Sequence, residues 1–336
     1  MSAVPTRRLG AGGPAVCAIG LGCMGMSGVY GPADDGESVA TIHAALDAGV
    51  ALLDTGDFYG MGHNEMLIRD ALAARRREEA LISVKFGALR GPDNRWAGND
   101  CRPAAVRNFL GYTLRRLRTD HVDIYRPARV DPDVPIEETV GTIAELVREG
   151  YVRHIGLSEV SAGTLRRAHA VHPICDVQIE YSLLSRGPER ELLGACAQLG
   201  VAVTAYGVLS RGLLGGHFSA AAQVAPGDFR AHAPRFTGEH LAHNLDLVER
   251  LRAIAQEGGR NVAQLSIAWV LARDEGVVAL IGARTRERLA DALGVLDHPL
   301  DAGTLAVLDE AFADGVAAGA RYPQAGMEQL DSERRN

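Results

Sequence analysis

The stretch ALLDTGDFYGMGHNEMLIRDALAARRREEALISVK, residues 51–85, contains one complete strand–helix–strand unit. The apolar runs at 51–55 and 80–85 have the length of buried strands, and residues 64–76 place their apolar side chains at helical spacing. Two strands joined by a helix pair in parallel when they neighbour each other in one sheet. The stretch therefore predicts an α/β fold built on a parallel sheet.

The same alternation of apolar runs and helical patterns extends over the rest of the chain. The predicted strands are AIGLG (18–22), ALLDT (51–55), ALISVK (80–85), VDIYRPA (122–128), VRHIGLS (152–158), CDVQIEYS (175–182), VAVTAYGVL (201–209) and VVALIGA (277–283). The predicted helices lie at 36–48, 64–76, 103–118, 136–149, 161–171, 188–199, within 244–273 and at 285–294. Eight βα units in 336 residues predict a (β/α)8 TIM barrel that forms a single domain over residues 1–336.

Two segments lie outside this alternation. TRRLGAGGPAVCA predicts an N-terminal β-hairpin within residues 1–17, with a Gly-Gly turn, that covers the N-terminal face of the barrel. The longest irregular stretch is residues 210–243, after the seventh strand. Because long loops in compact domains usually serve function, we expect residues 210–243 to line a cofactor or substrate site.

The bulk composition excludes several classes of protein. Lys and Arg number 35 and Asp and Glu 42, so the net charge is −7, which argues against nucleic acid or an anionic membrane as the main partner. The five cysteines form no CxxC pair and suit free thiols in a reducing compartment. No apolar run reaches membrane-spanning length and no apolar leader is visible. We expect a cytoplasmic protein, and the scattered histidines indicate no metal site.

Polar side chains close two neighbouring strands of the predicted barrel. Asp54 ends the second strand, Tyr59 lies on the loop after it, and Lys85 ends the third. A lysine that emerges from a buried strand needs a carboxylate partner, which Asp54 can supply. The lysine charge is expected to lower the pKa of Tyr59 from about 10 and make it a general acid. A proton donor without a nucleophile suits carbonyl reduction by hydride from a cofactor.

The first strand offers an alternative interpretation. Gly20, Gly22 and Gly25 match G-x-G-x-x-G, the fingerprint of Rossmann dinucleotide-binding domains. That fingerprint requires a helix to begin at once, whereas here helix is predicted only from near Glu37. We therefore interpret these glycines as a loop at the barrel rim.

The segments LLDTGDFYGMGHNE and LISVKFG resemble the two signature segments of the aldo-keto reductase superfamily. The resemblance covers nearly the whole chain, through RPAAVRNFLGYTLRRLRTDHVDIY, IGLSEVS, VQIEYSLLSR, AYGVLSRGLL and IGARTRERL, in family order. It implies a (β/α)8 barrel that binds NADPH without a Rossmann domain and uses an Asp, Tyr, Lys, His tetrad. Asp54, Tyr59 and Lys85 match three of the four positions.

The fourth tetrad position falls in PARVDP, where Ala128 stands in place of the histidine. In the family that histidine helps to orient the carbonyl. With alanine there, one hydrogen bond is lost or a water fills the space, and the proton relay to Tyr59 can still run through Lys85. Two nearby groups are weighed as replacements. Arg126 is interpreted as a cation of the barrel wall or rim, and His63 as a loop histidine in solvent or at the helix start.

The resemblance also implies a cofactor site. Ser158 matches one residue of the Ser–Asn pair that holds the nicotinamide carboxamide, with Glu159 in place of the asparagine. Gln178 matches a second carboxamide ligand, and Tyr206 the aromatic ring that stacks on the nicotinamide. The other expected cofactor contacts are Gly22, Met24, Gly207, Leu209, Ser210, Gly212, Leu213, Gly282, Ala283, Arg284, Thr285, Arg288 and Asp291. Arg284 and Arg288 match the positions that grip the 2′-phosphate, so NADPH is expected over NADH.

The substrate pocket is expected among the βα loops. Tyr30, Phe58, Trp96 and Ala128 are candidates for its wall, and an apolar pocket with few polar groups suits aldehydes or ketones. The expected activity is NADPH-dependent reduction of a small carbonyl compound to the alcohol, with Tyr59 as proton donor. The alternative, which Ala128 favours, is a catalytically impaired NADPH-binding protein that regulates a partner.

Overall fold

The computed structural model describes residues 4–93, 95–219 and 228–334. The strands in these ranges are β1 (Thr6–Arg8), β2 (Ala15–Cys17), β3 (Ile19–Gly22), β4 (Leu52–Gly56), β5 (Leu81–Phe86), β6 (Ala88–Arg90), β7 (Trp96–Asn99), β8 (Val122–Pro127), β9 (Val152–Ser158), β10 (Ile174–Glu180), β11 (Ala202–Tyr206) and β12 (Val277–Ile281). The α-helices are α1 (Asp35–Asp47), α2 (His63–Leu72), α3 (Pro103–Leu117), α4 (Ile136–Arg148), α5 (Ala162–Val171), α6 (Leu192–Leu199), α7 (Gly238–Glu257), α8 (Val262–Leu271), α9 (Arg286–Leu293), α10 (Ala302–Ala311) and α11 (Gln324–Met327).

Eight parallel strands form a closed barrel in the ring order β3–β4–β5–β8–β9–β10–β11–β12. Each consecutive pair is connected through at least one helix, so the predicted (β/α)8 barrel is confirmed. The stretch predicted as one helix within 244–273 is two helices, α7 and α8. Gly258 and Gly259 follow α7, and the side chain of Asn261 begins α8 in a capping box with Gln264.

The predicted N-terminal hairpin is present. β1 pairs with β2 in antiparallel register, with Thr6 opposite Cys17. Leu9 and Val16 are buried in an apolar cluster with side chains from the N-terminal halves of barrel strands. The members of that cluster are Leu9, Val16, Leu52, Ile124, Cys175, Ala202 and Val278. The hairpin therefore covers the N-terminal end of the barrel and leaves the opposite end for the site.

Above this apolar layer the barrel interior is polar. Arg126 is fully buried there and pairs with the equally buried Asp176, with 3.0 Å between Nη2 and Oδ2. The interpretation of Arg126 as a wall or rim cation was wrong, because side chains two residues apart on a strand share a face and Ile124 already faces inward. A β-carbon at Gly156 would approach the guanidinium carbon of Arg126 to 3.0 Å. Glycine at that position therefore makes room for the arginine.

Three features between the barrel elements position the site. The short hairpin of β6 and β7, which was not predicted, follows β5. The stretch predicted as irregular, 210–243, contains three short 3-10 helices, Ser210–Gly215, Phe229–His232 and Pro234–Phe236, and its last six residues already belong to α7. Its residues 220–227 lie outside the described ranges. Residues 313–334 follow α10 and contain only short helices. Within the described residues, no helix combines the length and the apolar character needed to cross a membrane.

Candidate active site

A buried ion pair joins the ends of β4 and β5. Asp54 and Lys85 are 3% and 4% exposed, and the ammonium of Lys85 donates to Oδ1 of Asp54. The other carboxylate oxygen accepts from Ser83 Oγ at 3.0 Å and from Gln178 Nε2 at 2.7 Å. Burial lowers the pKa of Lys85, and the charge of Asp54 opposes that shift. The carboxylate is thus held by three donors and in turn holds the lysine charge in place.

Tyr59 reaches this pair from a tight turn after β4. The three residues that follow it, Gly60, Met61 and Gly62, all have left-handed backbone conformations, with φ of 57°, 55° and 93°. Two of these three positions are glycines, which adopt left-handed conformations without steric strain. The ring of Phe58 packs edge-on against the tyrosine ring at 4.8 Å, and Nζ of Lys85 lies 5.1 Å from the centre of the Tyr59 ring. The structure therefore brings Asp54, Lys85 and Tyr59 together.

The pKa of Tyr59 shifts in the opposite direction to the one expected. Burial raises it well above its usual value, and the charge of Asp54 raises it further. The charge of Arg129, a residue that no sequence pattern indicated, opposes the rise. Tyr59 is therefore a protonated phenol at neutral pH.

Ala128 is buried, and the nearby candidate His63 does not take the place of the missing histidine. Ala128 is 1% exposed, and its backbone N–H donates to the carbonyl of Phe86 at 2.8 Å. His63 is engaged elsewhere: its ring nitrogens lie 3.0 Å from Ser27 Oγ and 3.3 Å from Asp35 Oδ2. It therefore connects the loop after β3 to the start of α2, as its interpretation as a loop histidine anticipated.

The expected nicotinamide side of the site lies at the ends of β9, β10 and β11. Ser158 and Gln178 are buried there, and Tyr206 donates its hydroxyl proton to Oε1 of Glu159 at 2.7 Å. The side chain of Gln178 already donates to Asp54, so the predicted carboxamide ligand contacts the carboxylate of the buried ion pair. These residues therefore lie beside the Asp54–Lys85 pair.

Glu159, the residue in place of the family's asparagine, is held by the C-terminal segment. Arg321 donates from both terminal nitrogens to its carboxylate, at 3.1 and 2.9 Å, and Ser332 Oγ donates at 2.5 Å. The backbone of Glu159 is left-handed, with φ of 53°, an unfavourable conformation for a non-glycine residue. Burial alone would raise the pKa of Glu159, but Arg321, together with Arg129 and Ser332, outweighs burial and lowers the pKa to about 2.

Removal of Arg321 is expected to destabilise the protein strongly. Arg321→Ala leaves Glu159 buried without its cation, so we expect the free energy of unfolding in urea to fall by roughly 3–5 kcal/mol. The pKa of Glu159 is lower in the folded protein than the usual 4.5, so its pairing stabilises the fold above that pH. In the wild type this stabilisation is lost as the pH falls from about 4.5 towards 2. In Arg321→Ala the free energy of unfolding should change less over the same pH range.

Arg190→Ala is the matched control, because Arg190 pairs with Asp314 at the surface with 59% of its side chain exposed. We expect that variant to lose less than about 1 kcal/mol. Equal losses in the two variants would contradict the assigned role of Arg321.

A second carboxylate at the barrel mouth, Glu180, also holds arginines. Its oxygens lie 3.0 Å from Arg211 Nη2, 3.6 Å from Arg235 Nη1 and 3.3 Å from Arg321 Nη1. The guanidinium of Arg211 in turn stacks 4.2 Å from the ring centre of Tyr322. Glu180 was missed, although it lies two residues after Gln178 and hence on the same inward face. Arg321 and Tyr322 carry no sequence signal, because they lie outside any periodic element.

The expected phosphate side lies at the end of β12. Thr285 caps α9, and its hydroxyl accepts from the backbone N–H of Arg288 at 3.4 Å. Arg284 donates to the backbone carbonyls of Tyr30 and Pro32, both at 3.2 Å, and the side chain of Arg288 is exposed. Neither guanidinium has a carboxylate within 4 Å in the described ranges. Both arginines are therefore available for an anion.

The other expected cofactor residues occupy the same end of the barrel, although one is engaged within the protein. The strand ends that carry them, β11, β12 and β3, are neighbours in the ring. They are Gly22, Met24, Gly207, Leu209, Ser210, Gly212, Leu213, Gly282 and Ala283. The carboxylate of Asp291, expected at the adenine, accepts from Asn261 at 2.8 Å and Gln264 at 3.0 Å, so it is engaged at the start of α8.

The expected pocket residues form two groups. Phe58 and Trp96 are brought together by Arg90, whose guanidinium lies 5.9 and 5.3 Å from their ring centres. Tyr30 lies beside Arg230, whose guanidinium is 5.3 Å from its ring centre, and burial raises the pKa of Tyr30 to about 12. The β6–β7 hairpin, which carries Arg90 and Trp96, is thus a wall on the Tyr59 side.

Comparisons with known proteins agree with this geometry. Residues 18–313 match the aldo/keto reductase family model. A probable aldo-keto reductase 1 of Glycine max is 40% identical over 94% of this chain and 91% of its own. The aldo-keto reductase yakc [NADP(+)] of Schizosaccharomyces pombe is 36% identical over 95% of each chain.

Solved structures share the fold. The glycerol dehydrogenase of Gluconobacter oxydans superposes with a TM-score of 0.83 at 28% identity, over 92% of this chain and 95% of that one. An aldo-keto reductase of Klebsiella pneumoniae, solved in complex with NADPH, gives a TM-score of 0.71 at 27% identity, over 96% and 97% of the two chains. With the family match over most of the barrel and relatives above 30% identity along nearly its full length, the chain belongs to the aldo/keto reductase family.

Proposed function

We propose that the protein reduces an aldehyde or ketone to the alcohol with NADPH, and that Tyr59 donates the proton. The observation that carries this proposal is the buried Asp54–Lys85 pair with the Tyr59 ring 5.1 Å from the lysine nitrogen. The names of two relatives support the cofactor: one from Schizosaccharomyces pombe carries NADP(+) in its name, and one from Klebsiella pneumoniae was solved with NADPH.

The residues present fit this cofactor. Arg284 and Arg288 offer two guanidinium groups near the start of α9, where the helix N-terminus adds to their attraction for a phosphate. Tyr206 offers an aromatic ring that its hydrogen bond to Glu159 fixes in orientation. Gly207 and Gly212 have left-handed backbones, with φ of 66° and 100°, and their lack of side chains lets a pyrophosphate approach the backbone closely.

The chemistry of this chain is proton delivery and charge stabilisation. When bound, NADPH supplies the hydride that reduces the carbonyl carbon. Tyr59 donates its phenolic proton to the carbonyl oxygen, and the alcohol forms. The ammonium of Lys85 stabilises the phenolate that remains, and Asp54 holds that ammonium in place. Ala128 contributes no hydrogen bond to the carbonyl.

One observation favours a second candidate function. Ala128 removes a donor from the tetrad, which suits an NADPH-binding protein that regulates a partner. The loss of NADPH absorbance with 4-nitrobenzaldehyde, a reactive aldehyde, separates the two functions. Turnover supports the reductase, whereas tight NADPH binding with no turnover of a range of aldehydes and ketones supports the regulatory protein.

The preference for NADPH over NADH is expected to depend on Arg288. Because a hydrogen bond to a charged group contributes about 1.5–3 kcal/mol, Arg288→Gln should weaken NADPH binding by roughly 10- to 100-fold. Binding of NADH, which lacks the 2′-phosphate, should change little. Fluorescence titration with each nucleotide measures both dissociation constants.

Arg286→Gln is the control, since Arg286 lies two residues away but its guanidinium pairs with Glu37 at 2.9 Å. We expect it to bind both nucleotides like the wild type. An equal loss of NADPH and NADH affinity in Arg288→Gln would contradict a 2′-phosphate contact.

A further inference from the structure

One cation at the barrel mouth has no acidic partner. Arg129 directly follows Ala128 at the end of β8 and is partly buried. Its Nη1 donates to the backbone carbonyl of Ala128 at 2.6 Å, and its Nη2 to the hydroxyl of Tyr322 at 3.4 Å. Its guanidinium carbon lies 5.8 Å from the centre of the Tyr322 ring. The hydrogen bonds that fix the side chain therefore go to neutral groups, while the buried carboxylate of Glu159 acts on its charge from beyond contact distance.

Four other cations at the mouth lie against carboxylates. Lys85 has Asp54, and Arg321 is held by Glu159. Arg211 lies against Glu180, which also lies near Arg235. Within residues 4–93, 95–219 and 228–334, no carboxylate oxygen lies within 4 Å of the Arg129 guanidinium. A guanidinium that is partly withdrawn from water favours an anion in direct contact, and no carboxylate of the described residues contacts Arg129.

The position of Arg129 points to the substrate rather than to the cofactor. The candidate phosphate ligands follow β11 and β12, and β8 lies directly across the ring from β12. Arg129 follows Ala128, whose backbone N–H donates to the carbonyl of Phe86, the residue after Lys85, at 2.8 Å. The charge of Arg129 also opposes the rise of the Tyr59 pKa. An anion held by Arg129 therefore lies near the proposed proton donor.

We propose that Arg129 binds a carboxylate of the substrate, which is then an aldehyde or ketone that also carries an acid group. This inference rests on the proposed reductase function and names its substrate class. A guanidinium presents two parallel N–H groups that match the two oxygens of a carboxylate. A phosphate dianion carries more charge than one guanidinium compensates, and the cations Lys85, Arg211 and Arg321 already lie against carboxylates. The observations therefore favour a carboxylate.

Three aldehydes on one scaffold test this inference. 4-Carboxybenzaldehyde carries the acid, 4-formylbenzamide is its neutral isostere, and 4-formylphenyl phosphate carries the alternative anion. In the wild type we expect kcat/KM for the acid to exceed that for the amide by roughly 10- to 100-fold, mainly through a lower KM. A preference for the amide or for the phosphate would overturn the inference.

Variants of Arg129 assign the preference to this residue. Arg129→Met should bring the acid-to-amide ratio of kcat/KM close to one. This holds even if the variant also lowers kcat/KM for both compounds by the same factor. Arg129→Lys, which keeps the charge without the paired N–H groups, should give an intermediate ratio. Arg148→Met is the control, because Arg148 is 77% exposed on α4, and its ratio should match the wild type. A ratio unchanged in Arg129→Met would overturn the inference.

A binding measurement separates this inference from the proposed function. If the wild type reduces none of the three aldehydes, the reductase proposal fails. Calorimetric binding of benzoate and benzamide to the NADP⁺-loaded protein then tests Arg129 alone. Tighter binding of benzoate that is lost in Arg129→Met supports the carboxylate site, and equal binding of the two compounds overturns it.

Discussion

Tyr59→Phe is expected to lower kcat for aldehyde reduction by roughly 10²–10⁴, because it removes the only phenolic proton held beside the Asp54–Lys85 pair in the described residues. The ring and its edge-on contact with Phe58 remain, so NADPH affinity should change little. Stopped-flow measurement of NADPH oxidation, with fluorescence titration for binding, gives both quantities.

The matched control for this variant is Tyr181→Phe. Tyr181 is also buried, but its hydroxyl donates to Glu189 at 2.8 Å and its ring packs against Trp269. Removal of that hydroxyl should leave kcat near the wild-type value. If Tyr59→Phe weakened NADPH binding as much as it lowered kcat, the proton-donor assignment would be abandoned.

Lys85→Met is expected to combine a loss of activity with a loss of stability. The variant removes the cation that stabilises the phenolate, so we expect kcat to fall by roughly 10²–10⁴. It also leaves Asp54 buried without its ion-pair partner, which should lower the free energy of unfolding by about 3–5 kcal/mol. Ser83 and Gln178 still donate to Asp54 and keep the loss from being larger.

A double variant separates these two effects. Asp54→Asn combined with Lys85→Met removes both charges, so the free energy of unfolding should recover by more than 1 kcal/mol relative to Lys85→Met alone. The activity should not recover. Recovery of both would mean that Lys85→Met had lost its activity only by unfolding, and Lys85 would then have no role of its own in the reaction.

The barrel and the Asp54–Lys85 contact could be predicted from sequence for the same reason. Buried parallel strands appear as continuous apolar runs, and the ends of consecutive strands meet at one edge, so a polar residue at each end finds the other. The direction of the Tyr59 pKa shift could not be predicted. It depends on how deeply the Tyr59 ring is buried in the folded protein, which no pattern in the sequence indicates.

The contribution of Arg321 and Tyr322 to the site could not be predicted from the sequence, for a different reason. Arg321 and Tyr322 lie in a segment without periodic apolar residues, so no pattern indicates that they return to the barrel mouth. The partner of Arg321 was visible, because Glu159 had been noted in place of an asparagine. A buried carboxylate needs a cation, but the sequence does not identify which of the chain's many arginines supplies it.

The ion pair inside the barrel, Arg126 with Asp176, has a consequence for how this lineage evolves. Loss of either residue leaves the other buried without its ion-pair partner. We therefore expect selection to remove replacements at only one of the two positions and to tolerate replacement of both residues together. Gly156 belongs to the same unit, since a larger residue there would collide with Arg126. Among homologues the three positions should therefore covary, and a descendant that carries an apolar residue at 126 should also have lost the acid at 176.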